Sequence, residues 1–170
     1  ATIRGSDYPP AARSLPVIGD GTQPDPERVA ATRPDLVIAW QPSAAAPLAR
    51  VMDKLGVAVY YSDPQTLAAI PEAVERLGVL FGTEARATAA AQALRARLDA
   101  LAARYAGRAP VRVFVQAGLD PIYTLNHASI VSDALRLCGG VNVFGDAPVV
   151  APQVGLESVL AARPDAVLAG

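Results

Sequence analysis

The chain has 170 residues, of which 52% are hydrophobic and 18% charged, a composition that supplies ample core for one domain or two small ones and is not that of a disordered segment. A net charge of −1 with arginines spread along the chain leaves no basic stripe for nucleic acid. No apolar run reaches the roughly eighteen residues that a membrane-spanning helix needs.

In chain order, Ala-Thr-Ile-Arg at 1–4 reads as a strand, and residues 5–25, rich in Gly, Pro, Ser and Asp, as loop with an apolar step at Val17 and Ile18. Asp25 is a predicted N-cap, Pro26 a first helical residue and Glu27 a first-turn acid. Arg33-Pro34-Asp35 stops that helix, because proline bars continuation, and a hydrophobic strand runs on to Trp40. A helix over 46–55, a strand over 57–61 and a helix over 66–80 follow. Residues 84–106 carry the longest helical signal, with Thr83 to cap it, Gly107 to end it and Pro110 beyond. Leu94, Leu98, Leu101 and Tyr105 share one face of it. At the usual rise it is about 35 Å long, more than a crossover in a small lobe needs and natural for a strut between two lobes. A strand over 111–116, a turn at 118–121, a strand over 122–124 and a helix over 129–137 come next. Cys138, the single cysteine, excludes an internal disulfide, and its Leu-Cys-Gly-Gly setting reads as a small buried residue. The alternation predicts an α/β fold with mostly parallel sheets.

Residues 156–170 repeat residues 26–40. Glu27/Glu157, Val29/Val159, Ala31/Ala161, Arg33/Arg163, Pro34/Pro164, Asp35/Asp165, Val37/Val167 and Ala39/Ala169 are identical. Each copy reads as a short helix, an Arg-Pro-Asp stop and a strand whose uninterrupted apolar run suits cover on both faces. Copies so distant suggest two similar lobes rather than a solenoid, and a cleft between lobes is where a ligand binds.

Catalysis finds little support. His127, the single histidine, has no metal-ligand spacing around it, and Ser129 beside it lacks an orienting acid. No nucleophile elbow, phosphate loop or dinucleotide fingerprint is present. Trp40 ends a predicted strand, and the carboxyl ends of strands in open α/β sheets face the ligand crevice. A core tryptophan is the alternative. Tyr123, after Gly118-Leu119-Asp120-Pro121, holds a matching place in the second half, so one ring from each lobe could grip a flat apolar ligand. Tyr8 could line the same mouth or pack on its prolines. Glu27 and Glu157 are explained by the helix dipole alone, and would also give a partner's arginines two fixed acidic contacts.

SDYPP at 6–10, ERVAATRPDLVIAW at 27–40, LGVAVY at 55–60, RVFVQAGLDPIYT at 112–124, SIVSDALRLCGGVNVF at 129–144 and PQVGLESVLAARPDAVLAG at 152–170 resemble the substrate-binding proteins of ABC importers. The branch is the one with two Rossmann-like lobes bridged by one long helix, and its cobalamin-carrying members are the nearest. The resemblance covers almost the whole chain. It implies a partial N-terminal lobe at 1–82, a bridging helix at 83–108 and a partial C-terminal lobe at 109–170, with a leader and further units outside both ends. It implies a monomer in the periplasm, or anchored as an envelope lipoprotein, that catalyses nothing and holds no metal or cofactor of its own. Trp40 and Tyr123 match corrin-contacting positions, and Glu27 and Glu157 match glutamates that dock on permease arginines. Gly5, Gly21, Ala117 and Ala151 stand where a cobalamin binder carries aromatics, which keeps haem and iron–siderophore ligands open, with Tyr8, Tyr123 and His127 as candidate axial groups. An enzyme on two Rossmann-like lobes is the alternative of a different class.

Overall fold

In the computed structural model, which describes residues 1–20 and 24–169 and only the helical backbone of 42–44, Asp25 begins the first regular unit. Its carboxylate accepts the backbone N–H groups of Glu27 at 3.0 Å and Arg28 at 3.2 Å. Helix α1, Pro26–Ala31, therefore starts with two otherwise unpaired donors satisfied and proline at its first position. Arg33 then turns the backbone left-handed at φ 46°, and strand β1, Leu36–Ala39, follows Pro34 and Asp35. Helix α2, Pro42–Lys54, carries the chain over to β2, Ala58–Tyr61, which pairs parallel with β1, Leu36 opposite Ala58 and Ala39 opposite Tyr61. Val29, Leu48 and Met52 form the buried core of this unit, with Ile18, Val37, Val57 and Val59 packed on them.

The chain divides into two compact units, Ala1–Asp63 and Pro64–Gly170. The second opens with two helices, α3, Ala69–Leu80, and α4, Glu84–Tyr105. They cross so closely at Gly78 that a Cβ added there would lie 2.3 Å from Cβ of Ala87. Arg95 on α4 donates to both carboxylate oxygens of Glu75 on α3, at 2.8 and 2.7 Å. Strand β3, Val111–Gln116, is buried at its middle residues Val113, Phe114 and Val115. The hairpin β4, Gly118–Leu119, and β5, Ile122–Tyr123, comes next, then α5, Ile130–Leu137, β6, Gly140–Asn142, α6, Leu156–Ala161, and β7, Ala166–Ala169. The sheet runs β6-β3-β7 with all neighbours parallel, and the β4–β5 hairpin is antiparallel.

The repeated segments fold alike. α6 and β7 reproduce α1 and β1, Val29 and Val159 are the buried residues of their helices, and Arg163 adopts the same φ of 46° as Arg33. β1 and β7 lie in different sheets.

Several expectations are corrected. Residues 1–4 form no strand, only an isolated parallel bridge from Thr2 to Val17, and the loop after them contains a 3-10 helix, Pro10–Ser14. α2 begins at Pro42, since proline suits the first helical turn, and α3 begins at Ala69. Thr83 occupies the N-cap position of α4 without a side-chain capping bond. Cys138 is exposed, because α5 ends there and the chain turns away at Gly139 with φ 82°. Gly140–Asn142, where the sequence offers no strand, forms β6. β7 is exposed along its length, and among the described residues it pairs with β3 alone.

Candidate functional site

The two strands of the first unit end level with each other. Ala39 sits opposite Tyr61, and the Ser62 N–H donates to the Ala39 carbonyl at 2.9 Å. Trp40 and Asp63 therefore leave the sheet at the same carboxyl end, the end where parallel α/β sheets receive ligands. The Trp40 indole Nε1–H donates to Asp63 Oδ1 at 2.6 Å, and Gln41 Nε2 to Asp63 Oδ2 at 3.4 Å. Trp40 remains 64% exposed, so it is not a core residue. Its ring borders a cavity of about 140 Å³, lined also by Ile3, Ile18, Ile38, Gln41 and Leu48. Such a volume falls below the roughly 300 Å³ from which small-molecule pockets begin, so the cavity would receive part of a larger ligand. Ring and aliphatic walls with few polar groups favour an apolar, flat surface.

In the second unit, Tyr123 lies just beyond the carboxyl end of β3. The Ala117 N–H donates to the Tyr123 carbonyl at 2.8 Å, and Tyr123 bridges Gln153 on its other side. Its ring lies along Gly118, where an added Cβ would sit 3.3 Å from Tyr123 Cδ2. The absence of a side chain at Gly118 thus lets the ring lie against backbone, with Tyr123 39% exposed. Tyr8, 86% exposed, immediately precedes the Pro9-Pro10 start of the 3-10 helix. Gly21 lies outside the described residues, Ala117 and Ala151 are exposed, and an added Cβ at Gly5 would meet open space.

His127 Nδ1 meets the carbonyl oxygen of Gly145. A carbonyl only accepts, so Nδ1 is the donor in this contact. His127 borders a second cavity, of about 450 Å³, with Ser132, Asp133, Arg136, Asn142 and Asp146. Four of its polar side chains are tied to the fold or to each other. Asn142 Nδ2 donates to Leu125 O and to Ser132 Oγ, while Asp133 accepts from the Leu67 N–H at 2.8 Å and from Arg136 at 2.6 Å. The Leu67 bond, followed by Arg136, holds the Asp133 carboxyl below the usual carboxylate range. Ser129 caps α5 by accepting the Val131 N–H at 3.2 Å, so its oxygen serves the helix. Among the described residues no three His, Cys, Asp or Glu side chains gather as for a metal ion.

Glu27 and Glu157 are both exposed in the first turns of α1 and α6. Asp63 and Gln41 escaped sequence reading. Their signal was positional: each, like Trp40, follows the end of one of two adjacent strands.

Known proteins resemble the chain over almost all of its length. A vitamin B12-binding protein of Salmonella typhi is 38% identical over 163 residues, which are 96% of this chain and 61% of that protein. Among solved structures, the periplasmic vitamin B12 binding protein BtuF of Vibrio cholerae matches with a TM-score of 0.87 and 35% identity, over 97% of this chain and 65% of that one. The periplasmic heme-binding protein RhuT of Roseiflexus sp. RS-1 matches with a TM-score of 0.80 and 26% identity, over 98% of this chain and 66% of that one. This chain thus spans about three fifths of the length of the curated relative. The family model for periplasmic binding proteins matches residues 1–170, and its parallel α/β architecture agrees: the chain belongs to the periplasmic binding proteins, a family of binders rather than of enzymes.

Proposed function

We propose that the chain is the solute-binding part of an ABC importer and carries a cobalamin-like corrinoid to the permease. The observation that carries this reading is Trp40, a largely exposed ring beside an apolar cavity at the shared carboxyl end of two parallel strands. A macrocycle with a broad, partly apolar face gains from such a ring both by area removed from water and by stacking. Tyr123 and Tyr8 are the further ring contacts in this reading, and Glu27 and Glu157 the permease contacts. The vitamin B12-binding relatives favour the corrinoid. The same reading assigns the lobes to 1–82 and 109–170 and the bridge to 83–108, with the protein working as a periplasmic or membrane-anchored monomer.

A haem ligand is the second reading. It is favoured by the heme-binding neighbour and by small residues at positions 5, 21, 117 and 151, where the resemblance leads one to expect rings. Calorimetric titration of the parent, Trp40→Ala and Tyr123→Ala with cyanocobalamin and with haemin separates the two. Each ring removal is expected to weaken cyanocobalamin binding by about 1–3 kcal/mol. Unchanged binding of both ligands by Trp40→Ala, with its fold intact, would remove the indole from the site.

A further inference from the structure

The Trp40 indole is held in a way that its exposure does not require. A tryptophan 64% exposed can give its one N–H to water at no loss, so burial does not demand a protein acceptor. Yet Nε1–H donates at 2.6 Å to a carboxylate 23 residues away in sequence, the short distance of a charge-assisted bond. The acceptor is itself fixed. Asp63 is half-buried, its second oxygen takes Gln41 Nε2 at 3.4 Å, and the neighbouring Ser62 N–H is tied to Ala39 at 2.9 Å. A bond to Nε1 grips the ring by its edge and leaves both faces free, while selecting one rotamer among those an exposed indole would otherwise sample.

We propose that Asp63 is a positioning residue, which holds Trp40 by its edge so that a ring face is presented, already oriented, to the ligand. The inference rests on the ligand-binding reading of Trp40 above. Preorganisation of this kind raises affinity by removing an ordering cost from the binding step.

Trp40 is the only tryptophan, so its indole N–H gives one resonance in the ¹⁵N-labelled full chain. Asp63→Ala should move that resonance upfield, toward a water-bonded indole, and increase acrylamide quenching of the fluorescence. It should weaken cyanocobalamin binding roughly three- to tenfold, the range expected when one side chain must be ordered in the binding step. Asp63→Asn keeps an acceptor oxygen and should bind within about twofold of the parent, with the resonance shifted part-way. Phe at position 40 has no N–H, so Asp63→Ala added to Trp40→Phe should cost nothing further. An unmoved indole resonance in Asp63→Ala, or parental affinity for cyanocobalamin there, would overturn the proposal. So would a loss on adding Asp63→Ala to Trp40→Phe, which would make Asp63 a direct ligand contact. If Asp63→Ala does not fold, an unmoved resonance in Asp63→Asn overturns it equally. Failure of the parent to bind cyanocobalamin or haemin would sink the ligand reading and the presented-face role with it, while the resonance comparison still decides whether Asp63 holds the ring.

Discussion

Asp25 and Gly155 occupy the same place in the two repeated units, yet only Asp25 offers its helix a side-chain acceptor. Asp25→Ala is therefore expected to cost about 1 kcal/mol in urea unfolding, the usual loss when an N-cap is removed. Asp133 makes a pH-dependent contribution. Its carboxyl titrates below the ordinary range in the folded chain, so its stabilisation is complete above the unfolded value, about 3.9, and disappears as pH falls through the folded value. Asp133→Asn should be less stable than the parent at neutral pH, and the gap should begin to narrow near about pH 4 and close only below the lowered folded value. Glu75, lowered by its hydrogen bonds from Arg95, titrates in the same direction in both proteins and cancels from the difference. A gap independent of pH would mean that the carboxylate charge contributes nothing. Asp25 was legible in the sequence because capping is local. Asp63 was not, since its bond to Trp40 is created by the pairing of two strands, which no neighbouring pattern displays. Cys138 was misjudged for a related reason: apolar neighbours in sequence do not say on which side of a helix end a residue emerges.

At the scale of elements, the crossing of α3 and α4 depends on small residues. Ala87 and Ala91 are buried on α4, while Leu94, Leu98, Leu101 and Tyr105, the face that periodicity selected, are half-buried. Gly78→Ala would place a methyl group against Ala87, and separating the helices should cost about 1–3 kcal/mol. Thermal unfolding checks this, and an undiminished melting temperature would show that the crossing has slack. The bounds of α4 were legible from its length, its Gly107-Pro110 ending and its composition. The alanine face was not, because alanine favours helices whether it is buried or exposed. β6 was hidden for a similar reason: its three residues begin at Gly140, a residue type that marks turns, and only pairing with β3 makes them a strand. The helix–stop–strand order of the repeated units was legible, because the Arg-Pro-Asp stop acts locally on the backbone, although β1 ends at Ala39, one residue before Trp40. The left-handed arginines within them were not, since φ above zero is expected of glycine or asparagine.

For the whole molecule, family membership turns the two exposed glutamates into a testable pair. In the importer reading, Glu27→Lys with Glu157→Lys should abolish association with the permease, since two charge-assisted contacts become repulsions. Affinity for cyanocobalamin should be unchanged, and stability should fall by no more than about 1 kcal/mol at each helix start, the size of the dipole contribution there. Undiminished association would return both residues to a purely helical role. The corrinoid reading is decided by equilibrium dialysis of the full chain against cyanocobalamin, with haemin as competitor. The expected result is retention of one cyanocobalamin per chain, weakened by Trp40→Ala and not displaced by equimolar haemin. Retention of haemin in place of cyanocobalamin, or of neither, would contradict it.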